Sequence, residues 1–398
     1  MIQTLTLWVL ICLLAACNTQ EPPADHADVL TDESVLSAPA IESFSKQFGE
    51  GDFNYADAVA WASDGTILAA FSSYDGDVIY DIDQMDASIM KIDGTGNMLW
   101  RTTLGGPNQD NFRFIFPDDA GGCLLVGRYD ENRPGEQYAQ VALWIVKINS
   151  EGSVEWEKTI SREGSLQIFS ATRTQNQLIL GGQHSPNSLD GSAILMILDL
   201  DGNLVIEMEY AFSKNIWGIS HISGDRLVLG SFAGSYPTQY GFVRCVDFSG
   251  ATLWSREYPE LGIIYSADEL ADGELTFFSE SYPDTVVIAR ADDQGGSIQA
   301  SYVFPDTHDL SEQYMVSDEL YWCMIQPSSD DSAPSLNLYC FTDDGPQWVR
   351  QIDTPMDLGS TTEYSLSVSP DGHWLAILGH AYTESGQNSL VWLTTLEI

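Results

Sequence analysis

The side chains with the most evident chemical potential are carboxylates in one short stretch of the chain. From Tyr74 to Asp86 the sequence reads Tyr-Asp-Gly-Asp-Val-Ile-Tyr-Asp-Ile-Asp-Gln-Met-Asp. Hard cations such as Ca²⁺ prefer several carboxylate oxygens, and the candidate ligands here are Asp75, Asp77, Asp81 and Asp83. The glycine and the final glutamate of an EF-hand loop are misplaced, so a solvated acidic loop is favoured over a metal site. We predict no cofactor, with calcium as the weak alternative.

No combination of nucleophile and base matches a known catalytic motif. The sequence contains neither the Gly-x-Ser-x-Gly turn of serine hydrolases nor the His-Glu-x-x-His pair of zinc proteases. No two histidines have the spacing of metal ligands. A carboxylate pair for glycoside hydrolysis cannot be singled out among 58 acidic residues. We therefore predict no catalytic residue and favour a binding protein over an enzyme.

The N-terminus carries a targeting signal. Residues 5–14 are mostly apolar, too few to span a bilayer but suited to the core of a secretory signal. Leu14-Ala-Ala-Cys17 resembles the lipobox of bacterial lipoproteins, although residues 1–4 lack the usual Lys or Arg. The resemblance implies a signal peptide at residues 1–16 and a membrane anchor at Cys17. The anchor would be a diacylglycerol on its sulfur and an acyl chain such as palmitate on its amine. The alternative is a buried strand that ends in a core cysteine.

A polar segment follows the anchor. Residues 18–40 are acidic, contain three prolines and lack Lys and Arg, so they cannot bury enough apolar surface to fold. We predict a flexible tether at 17–40 and one folded domain at 41–398. Asn18 replaces the aspartate that retains enterobacterial lipoproteins at the inner membrane. The predicted location is therefore the cell envelope, with the anchor in the outer membrane.

The net charge narrows the range of partners. Sixteen basic and 58 acidic residues give a formal charge of −42. Such a charge repels nucleic acid and anionic lipid headgroups, so no nucleic-acid partner is expected. The negative charge would keep a tethered, monomeric domain soluble. Adaptation to a saline habitat explains the same charge equally well.

An internal repeat is the main indication of the fold. An Asp/Asn-x-x-Gly turn, often followed by a strand with Trp, recurs with its glycines at 56-, 50-, 48-, 45- and 50-residue intervals. This period is typical of four-stranded propeller blades. The glycines are Gly96, Gly152, Gly202, Gly250, Gly295 and Gly345.

A second repeated motif gives the number of blades. Hairpins such as the one around Asp64-Gly65 begin near residues 55, 111, 168, 215, 263, 312 and 363, and Asp-Gly is a strong hairpin signal. No segment has a sustained helical period. The C-terminal repeat lacks an outer strand, and Ile41–Gly49 resembles one. We therefore predict an all-β, seven-bladed β-propeller of four-stranded antiparallel blades, with the N-terminal strand completing the last blade.

The first repeats also resemble a known family. Trp100-Arg-Thr-Thr-Leu-Gly-Gly-Pro-Asn-Gln-Asp110 and the hairpin with Gly121-Gly122 are similar to bacterial repeat lipoproteins with PQQ-like or related propeller repeats. The resemblance implies the fold and little about activity. Cys323 and Cys340 fall on predicted neighbouring strands of one blade, where two core cysteines are favoured over a disulfide.

The longer loops predict where a partner binds. Antiparallel alternation places the second-to-third-strand loops and the blade-to-blade loops on one rim, which we call the loop rim. Its second-to-third-strand loops are acidic, with Arg133 as their one basic residue, and rich in tyrosine. Tyrosine supplies large contact area at low entropic cost, although loops are also commonly polar and variable. The candidate binding residues are Tyr74, Tyr80, Tyr129, Tyr138, Tyr236, Tyr282 and Tyr382.

Three functional hypotheses remain. The first is a membrane-anchored binding or scaffold module that recognises a protein or a glycan at the cell envelope. The second is a subunit of outer-membrane protein assembly machinery, by resemblance to its propeller lipoprotein, which has eight blades. The third is an enzyme that acts on polysaccharide. The first is favoured because the sequence contains no catalytic motif.

Overall fold

Strands account for all the regular structure that is described. The computed structural model describes residues 43–48, 53–74, 85–106, 108–131, 140–187, 190–211, 213, 215–234, 239–270, 272–281, 285–292, 294–298, 300–304, 310–317, 320–325, 336–342, 345–352, 364–382 and 389–397. None of these residues is helical, which confirms the all-β prediction. Within these ranges there is accordingly no helix with the length and apolarity of a membrane span.

The strands form four-stranded antiparallel sheets, which we call blades. The chain begins with β1 (Ser45–Phe48). Blade 1 contains β2 (Phe53–Trp61), β3 (Ile67–Tyr74), β4 (Asp86–Ile92) and β5 (Met98–Leu104). Blade 2 contains β6 (Asn111–Pro117), β7 (Cys123–Glu131), β8 (Gln140–Ile148) and β9 (Val154–Ile160). Blade 3 contains β10 (Ser165–Arg173), β11 (Gln177–Asn187), β12 (Asp190–Asp199) and β13 (Leu204–Tyr210).

The same order of strands continues to the C-terminus. Blade 4 contains β14 (Gly218–Ile222), β15 (Arg226–Ala233), β16 (Tyr240–Asp247) and β17 (Thr252–Tyr258). Blade 5 contains β18 (Ile263–Glu269), β19 (Leu275–Ser281), β20 (Thr285–Ala291) and β21 (Ala300–Phe304). Blade 6 contains β22 (Leu310–Ser317), β23 (Leu320–Ile325), β24 (Leu336–Thr342) and β25 (Gly345–Ile352). Blade 7 contains β26 (Tyr364–Val368), β27 (Trp374–Tyr382), β28 (Ser389–Glu397) and β1, in which β1 pairs with β28.

The hydrophobic core lies between successive blades. Leu68 of blade 1 and Leu125 of blade 2 belong to one buried cluster, and Leu180 of blade 3 belongs to the cluster shared with blade 2. Third strands such as β4 and β8 are buried on both faces and are nearly continuous apolar runs. Outer strands such as β5 and β9 have exposed and half-buried residues and are more polar. The sequence of each strand therefore reflects its depth in the blade.

The Asp/Asn-x-x-Gly motif forms the turn between the third and fourth strands. In blade 1, Asp93 Oδ1 accepts hydrogen bonds from the backbone N–H of Thr95 at 2.9 Å and of Asn97 at 2.8 Å. Gly96 has a φ of +83°, which favours glycine. The equivalent Gly152 has the same φ and lies under Trp100, where a Cβ would be 2.7 Å from the indole ring.

This contact repeats in the described part of the chain, where the outer strands of blades 1 to 4 pack on the turns of blades 2 to 5. Lys158 Nζ, which lies beside Trp156, also donates to Asn203 Oδ1 at 2.6 Å. Trp100 Nε1 donates to the carbonyl oxygen of Ser150 at 2.8 Å. The side chain that follows the turn in sequence, a tryptophan in blades 1, 2 and 4 and Met208 in blade 3, therefore packs on the following blade. The packed pairs are Trp100 on Gly152, Trp156 on Gly202, Met208 on Gly250 and Trp254 on Gly295.

The N-terminal segment makes the same contact on blade 1. Phe44 lies over Gly96, where a Cβ would be 2.8 Å from the phenyl ring, and Lys46 Nζ donates to the Gly96 carbonyl at 2.6 Å. Blade 7 also contacts blade 1 through Ser365 Oγ, which accepts a hydrogen bond from the Val59 N–H at 2.9 Å. The first and last parts of the chain therefore share one interface.

The four cysteines within the described residues lie in strands. Cys123 and Cys245 are buried free thiols, and burial raises their pKa to about 12 and about 11, so neither is a reactive thiolate. Cys323 and Cys340 lie on the neighbouring strands β23 and β24, as predicted. Cys340 pairs with Trp322, so the two cysteines are one residue out of register.

Candidate functional site

The innermost strands of six blades surround a cavity of about 530 Å³. We call it the central cavity. Its lining residues come from β2, β6, β10, β14, β18 and β26, or directly precede them. A volume in this range suits a small ligand, and the convergence of six first strands places side chains that are distant in sequence around one space.

A β-bulge recurs in these strands. The register between first and second strands shifts at Asp57, Arg113, Phe169 and Tyr265, and all four residues line the central cavity. A bulge leaves one residue outside the ladder and redirects its side chain. Trp217 occupies the corresponding place before β14, where its backbone N–H donates to the Gly230 carbonyl at 3.0 Å. We call these five residues the bulge layer.

Three consecutive members of the bulge layer form an aromatic shelf: Phe169, Trp217 and Tyr265. The rings of Phe169 and Trp217 stack with centroids 4.4 Å apart and planes inclined by 27°. The Tyr265 ring meets Trp217 edge-on at 5.7 Å, and Tyr265 Oη donates to Glu280 Oε2 at 3.1 Å. All three side chains are half-buried, and Trp217 Nε1 is buried without a hydrogen-bond partner among the described residues.

Arg113 supplies a cation beside the shelf. Its guanidinium carbon lies 5.9 Å from the centroid of the Phe169 ring. Nη1 donates one long hydrogen bond, 3.5 Å, to the carbonyl oxygen of Ile168. The side chain is exposed, and no described carboxylate lies within ion-pair distance of it. Most of its donors therefore remain available to a ligand.

The rest of the wall is polar. Asp57 accepts hydrogen bonds from Ser72 Oγ and, at 3.3 Å, from Asn111 Nδ2, while the Oδ1 atom of Asn111 is buried without a partner in the described part of the chain. Asp268 accepts a hydrogen bond from Ser220. Burial raises the pKa of Asp268 although the Ser220 hydrogen bond opposes this. The cavity therefore combines an apolar shelf, a cation and groups that bind hydroxyls.

A separate cluster of carboxylates lies where blade 1 connects to blade 2. Asp110 is fully buried and accepts hydrogen bonds from the backbone N–H of Gly106 at 2.5 Å and of Asp130 at 3.1 Å. Arg128 neutralises Asp130 through two bonds of 2.5 and 2.6 Å. Burial, with the negative charges of Asp130 and Asp86, raises the pKa of Asp110 to about 6. No group of metal-ligating side chains suited to a cation is found in the described ranges.

Most residues predicted for the site lie outside the described residues. These are the lipid-attachment residue Cys17, the acidic residues Asp75, Asp77, Asp81 and Asp83, and the tyrosines Tyr80, Tyr138, Tyr236 and Tyr282.

The other three predicted tyrosines lie in the second strands of their blades. Tyr74 and Tyr382 are the last residues of β3 and β27. Tyr129 is half-buried, with its ring 5.7 Å from Trp144, and burial raises its pKa. The loop rim therefore stays a prediction.

The bulge layer was not found from the sequence. Its members have different chemistry, so no repeated letter marks them. Asp57, Arg113 and Tyr265 each precede the glycine of the following hairpin turn by eight residues. Tyr364, which lines the cavity in blade 7, has the same spacing. This offset is the signal that could have identified the position in those four blades, although Phe169 and Trp217 have no glycine at the same distance.

No protein-family profile matches the chain, and no curated protein sequence matches it. Several solved structures are similar. The WD40 domain of Pan2 from Neurospora crassa has a TM-score of 0.52 at 11% identity, covering 86% of this chain and 89% of that one. A protein of unknown function from Dyadobacter fermentans has a TM-score of 0.51 at 11% identity, covering 91% and 100%.

A third similar structure is the β-propeller domain of the Trilobed protease from Pyrococcus furiosus, which has an open velcro topology. Its TM-score is 0.52 at 12% identity, and the match covers 87% of this chain and 97% of that domain. Identities this low carry no information about activity. Together with the repeated four-stranded blades, these similarities show that the chain has a β-propeller fold.

Proposed function

We propose that this chain is a lipid-anchored, seven-bladed β-propeller that binds a ligand in its central cavity at the cell envelope. The bulge layer is the observation that carries the proposal. It presents carboxylate, guanidinium and aromatic side chains to one cavity from the same place in successive blades. A cavity lined by convergent polar groups, one with a shifted pKa, is a strong candidate for a binding site.

The closed seven-bladed ring is supported by contacts between the ends of the chain. β1 pairs with β28, and Phe44 packs on Gly96 as Trp100 packs on Gly152. Val59 and Met90 of blade 1 share a buried cluster with Leu378 and Leu393 of blade 7. Such closure would protect the edges of the sheets and keep the central cavity in one shape.

The position of the bulge layer supports entry from the loop rim. First strands run from the blade-to-blade connections toward the tight hairpin turns. Trp217 precedes β14, and Arg113 is the third residue of β6, so these side chains lie in the half of the cavity nearer the loop rim. A protein or glycan partner held by the rim tyrosines could therefore place one end in the cavity.

The anchor is supported by the sequence Leu14-Ala-Ala-Cys17. We expect Cys17→Ser to leave an unprocessed precursor that incorporates no radiolabelled palmitate, because the lipid attaches to the cysteine sulfur. Labelling that persists in this variant would contradict the assignment.

The binding site is tested by filling the cavity. The melting temperature of the detergent-solubilised full chain is measured in the presence and absence of fractionated envelope glycans and small molecules. Thr172 lines the cavity, so Thr172→Trp should abolish any ligand-induced rise in the melting temperature. Gln175→Trp, on the exposed turn of the same hairpin, is the control and should retain the rise. An unchanged rise in Thr172→Trp would place the site elsewhere.

A further inference from the structure

We infer that the central cavity selects a sugar acid: a hydroxylated ring that bears one carboxylate, such as a uronic acid residue. The inference rests on the proposed binding function and specifies its ligand. It is argued from three parts of the wall: the exposed Arg113, the aromatic shelf and the polar groups around Asn111.

Arg113 provides the anion contact. The fork of a guanidinium matches a carboxylate with two parallel hydrogen bonds. In a chain of net charge −42, Arg113 is exposed and pairs with no described carboxylate, whereas Arg128 and Arg162 are engaged by Asp130 and Glu207. The arginine that faces the cavity therefore differs from those two in having its donors available.

The aromatic shelf provides a surface for one ring of the ligand. The half-buried rings of Phe169, Trp217 and Tyr265 lie next to Arg113 in the bulge layer. Because the rings of Phe169 and Trp217 stack on each other, the apolar surface left for the C–H face of a sugar is made by the outer faces and edges of the group. Buried indole N–H groups usually have an acceptor, and Trp217 Nε1 has none among the described residues. Because the N–H lies in the plane of the indole, a ligand acceptor would have to approach the edge of the Trp217 ring.

The polar wall favours a hydroxylated ring over an aromatic acid. Asn111 Oδ1 is a buried acceptor without a described partner, and a ligand hydroxyl would reach it once the Asn111 side chain turns toward the cavity. Ser220 and Asp268 add a hydroxyl and a carboxyl group whose pKa is raised by burial. An aromatic acid without hydroxyls cannot make hydrogen bonds to these groups, so it gains less from the polar wall than a hydroxylated ring does. About 530 Å³ accommodates one or two sugar rings.

The test compares ligands that differ in one group. Binding of galacturonate, glucuronate, galactose, glucose and benzoate to the detergent-solubilised chain is measured by calorimetry. We expect each sugar acid to bind at least about tenfold more tightly than its neutral parent, because it adds a charge-assisted contact. Benzoate should bind more weakly than the sugar acids.

Variants identify the residue responsible. Arg113→Gln should reduce sugar-acid affinity to that of the neutral sugar, and Arg113→Lys should retain part of the preference. Arg173→Gln is the matched control, because Arg173 bonds to the Pro117 carbonyl at 2.9 Å and does not line the cavity. A preference that survives Arg113→Gln, or benzoate binding as tightly as the sugar acids, would overturn the inference. If neutral sugars bound as tightly as the sugar acids, and their binding was abolished in Thr172→Trp, the inference would be refuted while the proposed function remained intact.

Discussion

The outer turns and the bulge layer both recur in blades 1 to 5, but what is repeated differs: residue type at the turns, and position in the strand at the bulge layer. At the turns the residue types recur: a glycine with positive φ lies under an aromatic side chain in blades 1, 2, 3 and 5. In the bulge layer the position recurs, at a β-bulge in blades 1, 2, 3 and 5 and just before β14 in blade 4, while the side chain changes from Asp57 to Arg113 and then to three aromatics. Each of these turns makes the same contact with the preceding outer strand, so the same residue types are needed every time. The bulges direct different chemistry into one cavity.

The comparison predicts that the turn contacts govern stability and that the bulge layer contributes little to it. The largest effect should follow deletion of residues 41–49, which removes β1 together with Phe44. Loss of the edge strand and of the contact with Gly96 should lower the free energy of unfolding by about 3 kcal/mol or more. Deleting 18–40 is the control and should have little effect in urea unfolding. Equal stability of the two truncations would refute closure by the N-terminal strand.

A smaller effect is expected at a single turn glycine. Gly152 and Gly273 have φ values of +83° and +86°. A Cβ would lie 2.7 Å from Trp100 at Gly152 but meets nothing within 4 Å at Gly273. Gly273→Ala should cost about 1 kcal/mol from backbone strain, and Gly152→Ala about 2–4 kcal/mol because the indole must move. Equal losses in chemical denaturation would show that the turn–aromatic contact carries no stability.

The buried carboxylate between blades 1 and 2 predicts a pH effect. The pKa of Asp110 is about 6, above its ordinary value of 3.8, so the folded state holds this proton more tightly. The stability due to Asp110 is therefore complete below about pH 4 and lost as the pH rises through about 6. Between about pH 4 and pH 6, the free energy of unfolding of the wild-type chain should fall by about 1–3 kcal/mol relative to that of Asp110→Asn. Asp119→Asn, on an exposed turn, is the control and should show the same pH dependence as the wild-type chain. If the difference in stability between the wild-type chain and Asp110→Asn did not change with pH, the assignment would be contradicted.

The smallest effect is expected in the bulge layer itself. Arg113→Gln should change the free energy of unfolding by less than about 0.5 kcal/mol, because the side chain is exposed. Lys91→Gln is the contrast: Lys91 is buried, bonds to Asp64 at 3.0 Å and to the Gly121 carbonyl at 2.8 Å, and its loss should cost about 1–3 kcal/mol. A large loss in Arg113→Gln would mean that the bulge layer is structural after all.

Much of the fold could be predicted because its signals are local. Asp64-Gly65 and Gly96 announce tight turns through their own backbone preferences, and the alternating strands between them follow from burial. Inner strands were predicted to start near residues 55, 111 and 263, and they start at Phe53, Asn111 and Ile263. The role of the tryptophans was not predicted, because Trp100 packs on Gly152, a turn in the next blade.

The candidate site was not predictable in the same way. A search for dense chemistry selects the carboxylates around Asp77 and the loop tyrosines, since neighbours in sequence are easily seen together. Asp57, Arg113 and Trp217 are instead separated by whole blades. Each is unremarkable within its own strand.

The sequence by itself determined the all-β class, the repeat and the turn glycines, because φ preference and apolar alternation act over a few residues. Tertiary structure alone decided what the inner strands enclose. The bulges depend on strand pairing, and the cavity depends on six first strands meeting in one place. Arg113, Phe169 and Trp217 become neighbours only after the blades pack, since no local preference links residues that lie 48 or more positions apart.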